Sequence, residues 1–170
     1  MMKFVNVFFV FIAATILNWL CIELFSSLEI NIGIMLAFSL IMCGFLDEAG
    51  SYSFAFISGL FLDFFSDVLF GGYAFVFTLI MFIFYRIKDK IDFKDIGPQV
   101  VITAGLNFLC VILYGICGLL FTGHFLWQGP KSFIAGSLLS GLFMPFVYML
   151  ATKYLIFNVL KNNNESKKLF

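Results

Sequence analysis

Two carboxylates sit four residues apart in a run that is otherwise hydrocarbon, Gly59-Leu-Phe-Leu-Asp63-Phe-Phe-Ser66-Asp67-Val-Leu-Phe-Gly71-Gly72-Tyr-Ala74. On a continuing helix that spacing puts both on one face, about one turn apart. Such a pair can share a proton, hold a cation or bind a partner, because burial and a neighbouring like charge both favour the protonated form. A charge at the bilayer centre costs roughly 2.5–3.5 kcal/mol on insertion scales, so it needs a partner, water or a function. The competing structural role for Asp63 is a protonated or hydrogen-bonded side chain that caps neighbouring backbone at a helix break. Asp67 lies nearer the expected outer surface, where hydration makes an acid cheap. No basic residue falls in the apolar runs near that depth.

The remaining polar residues are sparse. Glu23 and Glu29 lie at or just beyond the outer end of the first apolar run and are expected to reach water. Asn18 and Asn107 are mid-run and are expected to hydrogen-bond between helices. His124 stands alone in an outer loop and makes no metal site by itself. Cys21, Cys43, Cys110 and Cys117 all fall in apolar runs with no CxxC pair, which suits packing rather than metal or redox chemistry. There is no second histidine, nucleophile elbow, phosphate-binding glycine loop or cluster of metal ligands. The expectation is a protein that is not an enzyme and uses no cofactor and no metal.

The elements that must position these residues are membrane helices. The chain is 62% hydrophobic and 12% charged with mean hydropathy +1.07, against about 25% charged in soluble domains. This is the composition of an integral membrane protein. A net charge of zero offers no basic excess for nucleic acid. Spans of about 20 apolar residues are expected at about 4–25, 30–46, 54–70, 73–86, 99–121 and 132–157. They form one domain over 1–160, followed by a polar tail over 161–170. The first run exceeds a signal-peptide core and no small-x-small cleavage site follows, so it reads as a retained helix. Residues 47–53 read as the first cytoplasmic loop. With six spans and both termini cytoplasmic, nine of the ten basic residues face the cytoplasm and only Lys131 lies outside. Fusing spans three and four would put the Arg86–Lys94 loop on the side opposite Lys3. No repeat of 20–50 residues is visible, which gives an inverted-repeat transporter little support. Small residues at Gly115, Gly118, Gly136, Ser137, Ser140 and Gly141 allow close helix approach. Pro145, inside the last span, removes a backbone hydrogen bond and is expected to kink it.

The pattern Gly59-x-x-x-Asp63-x-x-Ser66-x-x-x-x-Gly71-x-x-Ala74 resembles the central motif of the bacterial rod-shape-determining membrane protein MreD family. Ser140-Gly141-Leu-Phe-Met-Pro145 is similar to that family's polar-Gly-x-x-x-Pro signature in the last span. Length, span count and the short basic tail fit as well. Family members often carry glycine where this chain has Asp67.

The resemblance implies an all-α polytopic protein of the cytoplasmic (inner) membrane. Its six-helix arrangement would be similar to the substrate-binding subunits of energy-coupling-factor (ECF) transporters. It implies a non-enzymatic subunit of the cell-elongation complex that binds the bitopic scaffold MreC. Through it the chain would connect with the actin-like MreB and with a SEDS glycosyltransferase and transpeptidase that build lateral peptidoglycan. Gly59, Asp63, Ser66, Gly71, Ala74, Gly141 and Pro145 would then shape a partner-docking or structural motif. The alternative is a vitamin-binding subunit of an ECF-type transporter, with Asp63, Asn107 and Trp127 lining an outward cavity. A third reading, an ion or proton path through Asp63, finds too few polar residues to cross a bilayer.

Overall fold

Leu, Phe, Met and Ala favour helix, while Gly and Asp interrupt it, and the apolar runs fold accordingly. A computed structural model describes residues 4–25, 30, 32–66, 69–88, 95–126 and 129–166, with side chains described outside 4–7, 10, 132 and 154–166. All regular structure among these residues is helical. The helices are α1 (Phe4–Phe25), α2 (Ile34–Met42), α3 (Glu48–Phe64), α4 (Gly72–Ile87), α5 (Ile96–Thr122) and α6 (Ser137–Ser166). One helical turn, Gly129–Lys131, and a π-helical turn, Ser132–Gly136, lead into α6. Two stretches, Ile96–Thr122 and Gly129–Lys153, are helical, long and apolar enough to cross a membrane.

Helix α2 is the centre of the molecule. All nine of its residues are buried, and it touches each of the other five helices. A helix that is apolar all round belongs inside. At 1.5 Å per residue it is about 14 Å long, less than half the thickness of bilayer hydrocarbon. The span expected over 30–46 is therefore helical only at Ile34–Met42. Its C-terminal end closes in tight turns in which Gly44 N–H reaches Ile41 O at 3.0 Å and Phe45 N–H reaches Met42 O at 3.0 Å. At its other end the Gly33 N–H donates to Ser140 Oγ of α6 at 2.8 Å, so a half-buried non-helical amide finds its partner 107 residues away.

Helices α3 and α4 form an antiparallel hairpin. The rings of Tyr52 and Tyr85 lie 6.0 Å apart at one end, Gly59 faces Ala74 in the middle, and Asp63 meets Tyr73 at the turn. The two are therefore separate helices and not one continuous helix. The other large packing seam joins α5 to α6.

Three boundaries differ from expectation. Residues 48–53, expected as a loop, form the first turns of α3, where Ser51 N–H donates to Asp47 O at 2.9 Å. Gly97 and Pro98 lie inside the first turn of α5 rather than before it, where proline's missing N–H costs no helical bond. The tail expected from 161 onward continues α6 to Ser166, and 167–170 lie outside the described residues. Pro145 lies within α6.

Candidate functional site

The turn between α3 and α4 gathers most of the residues singled out in the sequence. The first amides of any helix lack intrahelical partners and carry the positive end of its dipole. A side-chain oxygen at the preceding position usually serves them, but α4 is preceded by Gly71, which has no side chain. Asp63, on the last turn of α3 and 1% exposed, supplies the missing acceptor from across the hairpin. Its Oδ1 accepts the Tyr73 N–H at 2.9 Å and its Oδ2 accepts the Ala74 N–H at 3.0 Å. Both carboxylate oxygens are committed to backbone.

Gly59 makes this reach possible. It lies one turn before Asp63 on α3, against the backbone of Tyr73 and Ala74. A Cβ at 59 would run into Ala74 Cα and stand 2.6 Å from the Tyr73 carbonyl carbon. The absent side chain lets α4 approach until its amides meet Asp63. Ala74, 1% exposed, fills that contact. Gly71 closes the turn at φ +88°, a left-handed conformation that disfavours other residues. Ser66 ties the turn to α5, its hydroxyl lying 3.1 Å from the Tyr114 hydroxyl. The Tyr114 ring stacks on Tyr73 at 4.1 Å between centroids. Five of the seven motif residues thus build one hairpin turn. Asp67 lies outside the described residues.

Gly141 and Pro145 belong to the α5–α6 seam instead. A Cβ on Gly141 would stand 2.6 Å from Val100 O and 2.9 Å from Ala104 Cβ. Pro145 has no N–H to offer the Gly141 carbonyl four residues earlier. Beside Gly141, Ser140 Oγ accepts from Gly33 and donates to Gly136 O at 2.6 Å.

The two mid-span asparagines behave differently from each other. Asn107 Nδ2 donates to Ser137 Oγ at 3.5 Å, a long interhelical bond. Asn18 is 7% exposed, yet among the described residues its amide has no hydrogen-bond partner, which corrects the expectation of an interhelical bond there. Both amides open on a cavity of about 260 Å³, where Ser66 and Tyr73 also contribute. Asp63 does not line this cavity, because its carboxylate is turned to α4. Trp127, the third residue expected there, lies outside the described residues. Sequence reasoning missed Tyr73, Tyr114 and Gly33. The first two carry only the faint signal of polar aromatics in apolar runs, and Gly33 carries none.

A shallower groove of about 400 Å³ runs along α1, between Ala13, Ile16 and Leu17 and the side chains of Phe38 and Leu150. Its walls are apolar. Among the described residues no three His, Cys, Asp or Glu side chains lie close enough together to hold a metal ion. Compared with protein-family models, with curated proteins and with solved structures, the chain matches none.

Proposed function

We propose that this chain is a non-enzymatic, multi-pass subunit of the bacterial cell-elongation complex, of the MreD type. On this reading it lies in the cytoplasmic membrane with both termini inside, binds the scaffold MreC and supports lateral peptidoglycan synthesis. One observation carries the reading. The spacing Gly59, Asp63, Gly71, Ala74 that resembles the family motif coincides with positions this hairpin can hardly exchange: one without room for a Cβ, one whose carboxylate is spent on two amides, one at positive φ and one beneath the glycine. A motif with that physical content is less easily met by chance than its letters suggest.

Two further features suit the reading. Large apolar side chains such as Leu24, Phe64 and Leu120 are more than 70% exposed, as lipid contact requires and water does not favour. The apolar groove along α1 offers a single transmembrane helix of a bitopic partner a place to lie. The short α2 suits a second crossing in which the flanks 32–33 and 43–46 complete the passage. Non-helical backbone at that depth needs its polar groups bonded within the protein, and the Gly33 amide is bonded to Ser140.

The test is recovery of the scaffold. The chain, tagged at its C-terminus and purified in mild detergent from its own host, should bring down MreC, and its depletion should turn rods into spheres. Absence of the scaffold from the purified material, with rods unchanged on depletion, would sink the proposal.

A further inference from the structure

The cavity between α1, α3, α4 and α5 has the makings of a ligand site. Its volume is about 260 Å³, just below the 300–1,000 Å³ usual for pockets that hold drug-sized molecules. That is room for one small ring system, or roughly eight waters at about 30 Å³ each. One of its polar groups, the Asn18 amide, is not explained by the fold. Asn18 is more than nine-tenths buried and its amide meets no partner among the described residues, although it lines the space. That amide opens on the cavity, where water or a bound group can satisfy it. Asn107 commits one long donor to Ser137 and turns the rest of its amide toward Gly33 and the cavity.

The lining also constrains what can enter. Among the described residues it contains no Asp, Glu, Lys, Arg or His, and a charged molecule would lose its hydration there without compensation. Phe65, Tyr73 and Phe77 supply aromatic surface, which suits a flat ring. An asparagine side chain presents one carbonyl acceptor and one two-proton donor. The group that satisfies both ends at once is another amide or a lactam, with its own carbonyl and N–H side by side.

We propose that this cavity binds an uncharged, flat small molecule bearing an amide or lactam, with the Asn18 and Asn107 side chains as its hydrogen-bonding partners. The site would exist whether or not the chain assembles with a scaffold, and it asks nothing of Asp63, which lies outside the lining.

The experiment uses the full chain in detergent, with thermal unfolding and equilibrium binding as readouts. The probes are uracil and nicotinamide as uncharged flat amides, benzoate as a charged ring of similar size, and toluene as an apolar one. At least one amide probe should raise the unfolding temperature and bind about tenfold or more tightly than benzoate and toluene. Asn18→Leu and Asn107→Leu should each weaken that binding about tenfold or more. Asn18→Leu alone should leave the unliganded unfolding temperature unchanged or raised, because it removes an unpaired polar group. If a leucine variant does not fold, Asn18→Ser withdraws the amide with a smaller change of shape and is read in the same way. Binding of toluene as tightly as the amides would make the space an apolar void. Failure of every probe to bind would make it a water pocket. Amide binding that survives loss of Asn18 would put the probe elsewhere. Each of these three results overturns the proposal.

Discussion

The carboxylate of Asp63 closes the first turn of a helix to which it does not belong, accepting the amides of Tyr73 and Ala74 at 2.9 and 3.0 Å. An acid in an apolar run is costly because its charge lacks solvent, and here two N–H donors and the positive end of α4 stand in for water. Replacing it removes those acceptors while the amides stay buried. Asp63→Ala should therefore destabilise the protein by about 1–3 kcal/mol. Asp63→Asn should do so by a similar amount, since one of its two acceptors becomes a donor facing a donor. Thermal unfolding in detergent measures both. Wild-type unfolding temperatures in both variants would mean that the cap contributes nothing.

Gly59, at the close approach of α3 and α4, and Gly105, in the middle of α5, make a contrasting pair. A Cβ at 59 meets the backbone of Ala74 and Tyr73, whereas a Cβ at 105 meets nothing within 4 Å. Backbone cannot swing aside as the end of a side chain can, so Gly59→Ala should cost about 1–3 kcal/mol. Gly105→Ala, in mid-helix with open space, should be neutral or stabilising by up to about 1 kcal/mol. Opposite shifts in unfolding temperature are expected. Equal shifts would mean that the α3–α4 seam yields more readily than its packing indicates.

What the sequence reveals and hides follows from range. Helical class, the break after Asp63, the extent of α4 and the C-terminal end of α5 are legible because they depend on local composition and on glycine at the ends. Helix α2 is not, because a run that is apolar on every side shows no periodicity from which to read its length. Its ends depend on Gly33 finding Ser140 in α6. The acid is visible as an anomaly of cost, but its acceptor role requires knowing that α4 folds back on α3. The link from Ser66 to Tyr114 crosses 48 residues and has no local signature. The unpaired amide of Asn18 is invisible in sequence for the same reason, since a mid-span asparagine reads equally well as bonded or as lining a cavity.

The hairpin and the charge distribution together predict topology. With Arg86 in the last turn of α4 and the α5–α6 connection opposite, Ser53 and Arg86 should lie on the cytoplasmic side and His124 on the outer side. All three are exposed. In a background with Cys21, Cys43, Cys110 and Cys117 replaced by alanine, His124→Cys should react with a membrane-impermeant maleimide on intact cells. Ser53→Cys and Arg86→Cys should react only after permeabilisation. Labelling of Arg86→Cys on intact cells would invert or break the six-span arrangement.

The groove along α1 separates partner binding from folding. Ala13 lines it and is exposed, so among the described residues a bulkier side chain there points into open space, the place offered to a partner helix. If the chain binds MreC as proposed, Ala13→Trp should leave the unfolding temperature near that of the wild type and reduce recovery of MreC about tenfold, the effect of blocking the centre of an interface. Leu119→Trp, on the lipid-facing side of α5 and 51% exposed, adds comparable bulk outside the groove and should leave recovery unchanged. The contrast matters because Asp63 and Gly59 variants lower stability, and a destabilised protein loses partners for reasons unrelated to contact. If Ala13→Trp and Leu119→Trp recover equal amounts of scaffold, the docking surface lies elsewhere on the molecule.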